Sequence, residues 1–141
     1  MITKILMPTD GSPTAKAAAA FAAEIAKAEN ASVEVLGVVH TIQSPDTVAV
    51  DTDLAAEPGV SALVQAQVDE LTAQGVKATG KTLPHGQVYQ SIVATAEEDG
   101  VDLIVMGTHG RSGLSRAFIG SVADRVVRHS TIPVLLVPKR S

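Results

Sequence analysis

The chain has no cysteine and very few aromatic residues. Without cysteine, disulfide bonds, thiolate catalysis and cysteine-ligated zinc sites are all excluded. Aromatic residues make up 2% of the 141 positions, and the whole set is Phe21, Tyr89 and Phe118. This scarcity argues against a flavin site and against the stacking of bases along a nucleic-acid strand.

Basic clusters and long apolar runs are also missing. The formal net charge is −4, and the only adjacent basic pair is Lys139-Arg140. Because nucleic-acid binding needs a basic face, we expect no nucleic-acid partner. No apolar run approaches the roughly 20 residues of a membrane span, and the first residues do not resemble a signal peptide. We therefore expect a cytoplasmic protein with no membrane partner.

The chain is instead rich in small and aliphatic residues. Apolar residues make up 45% of the sequence and charged residues 18%, which is typical of a compact globular protein. A chain of 141 residues fits one domain, and a domain of this size buries about 68% of its unfolded surface. We expect one domain over residues 1–141, with a core of Val, Ile, Leu and Ala.

Apolar runs alternate with segments of helical character. The predicted strands cover residues 2–7, 33–39, 76–83, 101–106 and 132–137. The predicted helices cover residues 13–30, 58–74, 86–99 and 121–130, with Ser12 as the first N-cap and Pro13 in the first turn. The acidic connection over residues 41–57 is long enough to be functional or mobile. This order predicts an α/β three-layer sandwich: four helices around a five-stranded parallel sheet in the order 3-2-1-4-5, with strand three at an edge.

The most informative segment is Gly107-Thr-His-Gly110, followed after nine residues by Gly120-Ser121. Glycine has no Cβ, so main-chain N–H groups at these positions can approach an oxyanion closely. A helix beginning near Gly120 adds unpaired N–H groups and the positive end of its dipole. The segment follows a predicted strand and therefore indicates a phosphate-binding loop. An ordinary flexible loop is the alternative.

Asp10 follows the first strand and is the expected counterpart of this loop. In an open parallel sheet, ligands bind beyond the carboxyl ends of the strands, where the strand order reverses. Strands one and four are neighbours there, so we expect Asp10 and Gly107 to face one crevice. Asp10 is predicted to bind ribose hydroxyls, with a simple turn residue as the alternative. Thr9, Val38 and Val39 would wall an adenine pocket, with a place in the core as the alternative for the two valines.

Charged residues in the motif segment are weaker candidates. Arg111 and Arg116 either contact phosphate groups or are ordinary surface residues, and His109 is more typical of a surface residue than of a catalytic base. The four histidines of the chain do not have metal-ligand spacing. A Walker lysine and a G-x-S-x-G nucleophile motif are both missing.

Three segments together resemble the universal stress protein family, over essentially the whole chain. They are Pro8-Thr9-Asp10-Gly11-Ser12, the spacing Gly107-x2-Gly110-x9-Gly120-Ser121, and the run from Ile132 to Val137. The glycine spacing is diagnostic of the ATP-binding branch of that family. The resemblance implies a parallel α/β sandwich, adenine contacts from the ends of the first two strands, and triphosphate contacts from the Gly and Ser positions. It also implies a homodimer that pairs through Ile132 to Val137, which would cover an edge strand.

The candidate cofactor-binding residues lie in these motifs and at the adjoining strand ends. They are Pro8, Thr9, Asp10, Val38, Val39, Met106, Gly107, His109, Gly110, Arg111, Gly120, Ser121 and Val122. The expected cofactor is ATP, accompanied by Mg²⁺ or Mn²⁺ that is held mainly by the phosphate oxygens. No catalytic residue and no metal-ligating side chain is predicted.

Two functions fit this site. One is a stress-response regulatory protein that acts through nucleotide occupancy and dimer state. The other is a slow ATPase or self-phosphorylating enzyme that uses the same pocket. Efficient phosphoryl transfer needs a positioned base and charged groups near the γ-phosphate. The motif segment contains no lysine and no carboxylate, so binding is favoured and at most weak hydrolysis is expected.

Overall fold

The computed structural model describes residues 1–38, 57–83, 87–108 and 120–138. The strands in these ranges are β1 (Lys4–Pro8), β2 (Ser32–Val38), β3 (Lys77–Leu83), β4 (Leu103–Gly107) and β5 (Val134–Val137). The helices in these ranges are α1 (Pro13–Glu29), α2 (Glu57–Ala73), α3 (Val88–Glu98) and α4 (Ser121–His129). None of these helices is long and apolar enough to cross a membrane. The acidic connection predicted over residues 41–57 lies outside the described residues, apart from its last position.

The sheet has the predicted topology. All five strands run parallel, in the order β3-β2-β1-β4-β5. β1 lies between β2 and β4, so the strand order reverses between β1 and β4, as expected. The prediction that the third strand is an edge strand is also confirmed.

Each face of the sheet has its own apolar core, because successive strand residues point to opposite faces. Ile5 and Met7 of β1 belong to a core formed with α1 and α2. Leu6, between them, belongs to a second core formed with α3 and α4. Val105 and Met106 of β4 divide between the two cores in the same way. The predicted three-layer sandwich is therefore confirmed.

α1 begins and ends with the signals that the sequence contains. The Oγ of Ser12 accepts the N–H of Ala15 at 3.2 Å, and Pro13 occupies the first turn, where its missing N–H costs nothing. The helix ends at Asn30, whose φ of 55° is left-handed, a conformation that asparagine tolerates. Alanines form most of its buried stripe (Ala15, Ala18, Ala19, Ala22, Ala23 and Ala26). Their short side chains let the helix pack closely on the sheet.

α2 also packs closely on the sheet, because two strands have glycine beneath it. A Cβ at Gly37 of β2 would lie 2.5 Å from Cγ1 of Val60 and 2.6 Å from Cγ2 of Val64. A Cβ at Gly80 of β3 would lie 2.7 Å from Cγ1 of Val64. Leu63 of the same helix packs against Gly11, in the turn after β1. α2 therefore covers the carboxyl end of β2 and reaches the turn that contains Asp10.

The strand boundaries differ from the predictions by one or two residues, and two of these differences have a visible cause. β1 continues through Pro8, because the next N–H, that of Thr9, resumes the ladder by donating to Leu36 O at 2.9 Å. β5 begins at Val134 rather than Ile132. Ser130 and Ile132 form a local turn, in which the Ser130 Oγ accepts the N–H of Ile132 at 3.0 Å. This turn keeps the residues before Val134 out of the strand.

Candidate functional site

The turn after β1 is held by its own side chains. Thr9 Oγ1 accepts the N–H of Gly11 at 3.3 Å, and Asp10 Oδ1 accepts the N–H of Ser12 at 2.9 Å. Gly11 has a φ of 77°, which glycine adopts without steric cost. The side chain of Asp10 is half-buried, and its carboxylate keeps acceptor capacity beyond the bond to Ser12. It can therefore accept hydrogen bonds from the hydroxyl groups of a ligand.

The end of β4 is joined to the start of α4 by one short hydrogen bond. The N–H of Thr108 donates to Val137 O at 3.1 Å, which extends the pairing of β4 with β5. The N–H of Gly120 donates to Thr108 O at 2.6 Å. α4 therefore begins beside the carboxyl end of β4, at the same edge of the sheet as Asp10. The sequence motif predicted this convergence of Gly107 and Gly120.

The N-terminus of α4 has no side chain at its capping position. Its N-cap is Gly120, whereas Ser12 caps α1 with its hydroxyl. The first N–H groups of a helix have no partner within the helix and lie at the positive end of its dipole. Ser121, the exposed first residue of α4, adds a hydroxyl donor. This helix end is suited to a phosphate or another oxyanion.

Gly107 is required by packing against α1. A Cβ at this position would lie 2.7 Å from Cβ of Thr14 and 2.8 Å from its carbonyl carbon, and closer still to its Oγ1. From the sequence, Gly107 is expected to allow the close approach of a ligand, and Thr14 does not stand out. The available signal was a threonine in the first turn of an alanine-rich helix, which is too common to identify a contact.

Three further candidates have side chains directed into the second core. Met106 is 5% exposed, and Val38 and Val122 are partly buried against the same core. The contacts of Val38 favour the alternative that its side chain belongs to the core. The main chains of Val38 and Met106 still lie at the carboxyl edge of the sheet, next to the turns described above. Pro8 is half-buried at that edge.

The remaining candidates lie outside the described residues. They are Val39, His109, Gly110 and Arg111, together with Arg116. Within residues 1–38, 57–83, 87–108 and 120–138, no group of three or more His, Asp or Glu residues is placed to hold a metal ion. Any divalent cation at this edge would need ligands from elsewhere, such as phosphate oxygens.

The strand order, the two turns and the glycine-capped helix end define a parallel α/β sandwich whose candidate binding residues lie at the switch point of the sheet. The sequence model of the universal stress protein family matches residues 1–138. The universal stress protein MJ0531 of Methanocaldococcus jannaschii is 38% identical over 143 aligned positions, which cover 96% of this chain and 82% of that protein. The chain belongs to the universal stress protein family.

Solved structures of relatives have the same fold over the whole chain. The structure of MJ0577, also from Methanocaldococcus jannaschii, is 28% identical, has a TM-score of 0.78 and covers 100% of this chain and 99% of its own. A universal stress protein solved in complex with cAMP is 27% identical, has a TM-score of 0.75 and covers 99% of each chain. The second of these holds an adenine nucleotide.

Proposed function

We propose that this protein binds ATP in the crevice between the carboxyl ends of β1 and β4. It acts as a cytoplasmic stress-response regulator through nucleotide occupancy and dimer state. The observation that carries the proposal is the hydrogen bond from the Gly120 N–H to Thr108 O, at 2.6 Å. This bond brings a helix end without a side-chain cap to the strand that neighbours the Asp10 turn. A nucleotide presents both hydroxyls and phosphates, so one ligand would engage the Asp10 turn and the start of α4 together.

Each part of the nucleotide has a proposed binding region. The Asp10 carboxylate accepts hydrogen bonds from ribose hydroxyls, as acidic residues do in other α/β nucleotide sites. The main chain around Gly120 and the Ser121 hydroxyl donate to phosphate oxygens. The adenine lies near Thr9 and Val38, at the ends of β1 and β2. The motif positions His109, Gly110 and Arg111, and the strand-end residue Val39, complete the proposed site from the sequence pattern.

The comparison with the cAMP-bound relative supports this proposal at the level of adenine nucleotides. ATP is our choice within that class, because the glycine spacing provides donors for more than one phosphate. Mg²⁺ or Mn²⁺ would accompany it, bound chiefly by the triphosphate. A second copy of the chain, paired along the segment from Ile132 to Val137, is the proposed partner.

Isothermal titration with ATP tests the proposal. Wild-type protein is expected to bind, and Gly110→Val is expected to lose binding because its branched Cβ fills the space of a phosphate oxygen. Gly75→Ala is the matched control, since Gly75 lies in the turn before β3 with nothing within 4 Å of an added Cβ. Gly75 has a positive φ of 83°, so this control shows the effect of a strained substitution away from the proposed site. If wild type and Gly110→Val bind equally poorly, the proposal is wrong.

The proposed role is binding rather than rapid turnover. Residues 107–121 contain no lysine, aspartate or glutamate to activate a nucleophile or neutralise the γ-phosphate. Single-turnover measurement with labelled ATP should give a hydrolysis rate at or below roughly 10⁻³ s⁻¹, similar to an unassisted GTPase. A substantially faster rate would favour the enzymatic alternative.

A further inference from the structure

We propose that Thr14 is a positioning residue for the nucleotide site. Its side chain occupies the space that a Cβ at Gly107 would fill, and so sets the separation between the Asp10 turn and the end of β4. The inference rests on the proposed function, and it identifies a residue outside the candidate binding set. Thr14 would not touch the ligand itself but would fix the distance between the two turns that hold it.

The contact between Thr14 and Gly107 is tight. Oγ1, Cβ and the carbonyl carbon of Thr14 all surround the position of a Cβ at residue 107, the last two at 2.7 and 2.8 Å. Because one of these atoms is main chain, no rotation of the Thr14 side chain would make room for a larger residue at 107. The first turn of α1 therefore rests on the main chain of β4.

Thr14 is fixed in this place from its other side. It is 4% exposed, and Ser12, with 3% exposure, lies next to it. The Oγ of Ser12 is 3.3 Å from Oγ1 of Thr14 and also accepts the N–H of Ala15. The two hydroxyls and the first turn of α1 thus form one buried unit. Interiors packed this closely transmit small changes in volume to their neighbours.

The same unit is continuous with the ribose-binding side of the crevice. The N–H of Ser12 donates to Asp10 Oδ1 at 2.9 Å, so a shift of the first turn of α1 carries the Asp10 carboxylate with it. Gly107 is followed directly by Thr108, whose carbonyl oxygen holds the start of α4. Thr14 therefore stands between the two halves of the proposed site, and its size sets their spacing.

This arrangement makes a specific prediction about ligands of different length. ATP engages both turns, so it benefits from their correct spacing as two linked binding modules would. Adenosine and inorganic tripolyphosphate each engage one side, and their affinities do not depend on the spacing. A change at Thr14 should therefore weaken ATP and leave the two fragments unchanged.

The experiment compares Thr14→Ala, Thr14→Ser and wild type by calorimetric titration with ATP, adenosine and tripolyphosphate. Thr14→Ala is expected to lose about tenfold in ATP affinity with the fragment affinities intact. Thr14→Ala removes Oγ1, the Thr14 atom nearest to the position of a Cβ at residue 107, whereas Thr14→Ser retains it and should bind ATP as wild type does. Ala26→Gly, a buried position near the far end of α1, is the control for general loosening of the helix and should leave ATP affinity unchanged.

The outcomes separate this proposal from the proposed function. If wild type binds ATP and Thr14→Ala binds it equally well, Thr14 has no positioning role and the site stands without it. If Thr14→Ala weakens all three ligands alike, or Ala26→Gly weakens ATP as much, the effect is general destabilisation and the inference fails. If wild type does not bind ATP, the proposed function fails and this inference fails with it. Backbone amide chemical shifts of the nucleotide-free variants show whether the turns at Asp10 and Gly107 move, as the proposal requires.

Discussion

The ammonium group of Lys4 lies 3.6 Å from Oε2 of Glu34, a buried carboxylate oxygen that has no hydrogen-bond partner within the described part of the chain. Glu34 is a charged residue in the middle of β2 with 6% exposure. Lys4 also donates to the main-chain O of Asp99 at 3.3 Å, and Lys81 lies 3.4 Å from Asp99 Oδ2. Two lysines and two acids thus connect β1, β2 and β3 to the end of α3.

The pKa values of the two acids move in opposite directions. Burial, and then the neighbouring Asp99, raise the pKa of Glu34 above its ordinary value of 4.5. The hydrogen bond with Glu34, and then the charge of Lys81, lower the pKa of Asp99 below 3.8. The contribution of Glu34 to stability is therefore complete below pH 4.5 and is lost as the pH rises through its raised value. That of Asp99 is present above pH 3.8 and is lost as the pH falls.

Glu34→Gln should gain stability relative to wild type as the pH rises. The amide imitates the protonated carboxyl, so the variant avoids the cost of ionising a buried group. We expect the difference in unfolding free energy to move in favour of the variant as the pH rises from 4 to 7, since only the wild-type carboxyl must ionise while buried. Urea unfolding across this range measures the shift. Asp99→Asn is the matched control and should show the opposite trend: its loss of unfolding free energy should be larger at pH 7 than at pH 3. Parallel curves of unfolding free energy against pH for wild type and Glu34→Gln would contradict the raised pKa of Glu34.

Gly37→Ala should destabilise the packing of α2 on the sheet. The new Cβ would meet Val60 and Val64 at 2.5 and 2.6 Å, and overpacking of a core typically costs about 1–3 kcal/mol. Thermal or urea unfolding measures the loss. In the double variant Gly37→Ala/Val60→Ala the cost should be smaller than the sum of the two single costs, because the second change relieves part of the crowding. Strict additivity would mean that the contact is not the cause.

The order of the elements could be predicted because each has a clear local signal. The alternation of apolar strands and alanine-rich helix determines a parallel sheet, and the Ser12 cap and the Asn30 end determine α1. Glu34 did not stand out, because β2 reads as apolar and a single acid in a strand says nothing about three partners distant in sequence. Its partners Lys4, Lys81 and Asp99 come together only through the sheet register and the end of α3.

The outline of the candidate site could also be predicted, because its main residues have local signals in the sequence. Asp10 and Gly107 lie at the ends of neighbouring strands, and Gly120 shares the glycine spacing with Gly107, so their meeting at one edge follows from topology and motif. The contact of Thr14 with Gly107 could not be read from the sequence, because it depends on the close approach of α1 to β4. A glycine that is required by packing and one that is required by a ligand look identical in a sequence.

Asp10→Asn should reduce affinity for ATP through loss of the bonds to ribose. Asparagine keeps an oxygen for the N–H of Ser12, so the turn should survive, but the charged acceptor is gone. Hydrogen bonds to charged groups contribute about 1.5–3 kcal/mol, which corresponds to roughly a tenfold to hundredfold weaker affinity. Titration with ATP and with its 2′,3′-dideoxy analogue checks the cause. Wild type should bind ATP more tightly than the analogue, whereas Asp10→Asn should bind the two with more nearly equal affinity. An unchanged preference would show that Asp10 does not contact the ribose hydroxyls.

The proposed dimer can be tested at a single main-chain N–H of β5. Ile104 N–H donates to Pro133 O at 2.9 Å and Thr108 N–H to Val137 O at 3.1 Å. In a parallel ladder the residues between these two acceptors alternate in direction, so the N–H of Leu136 points away from β4. On that side the described part of the chain has no further strand.

Leu136→Pro should therefore convert a dimer that pairs through β5 into a monomer while leaving the pairing of β5 with β4 in place. Proline removes the outward N–H that a partner strand would use. Leu136→Ala is the matched control, since it shortens the same side chain, which packs against the second core, but keeps the N–H. Light scattering after size exclusion measures the mass. We expect a dimer for wild type and Leu136→Ala and a monomer for Leu136→Pro, with similar circular dichroism for all three. A dimer that survives in Leu136→Pro would contradict pairing along this part of β5, because proline removes an outward donor and its ring crowds a strand paired there.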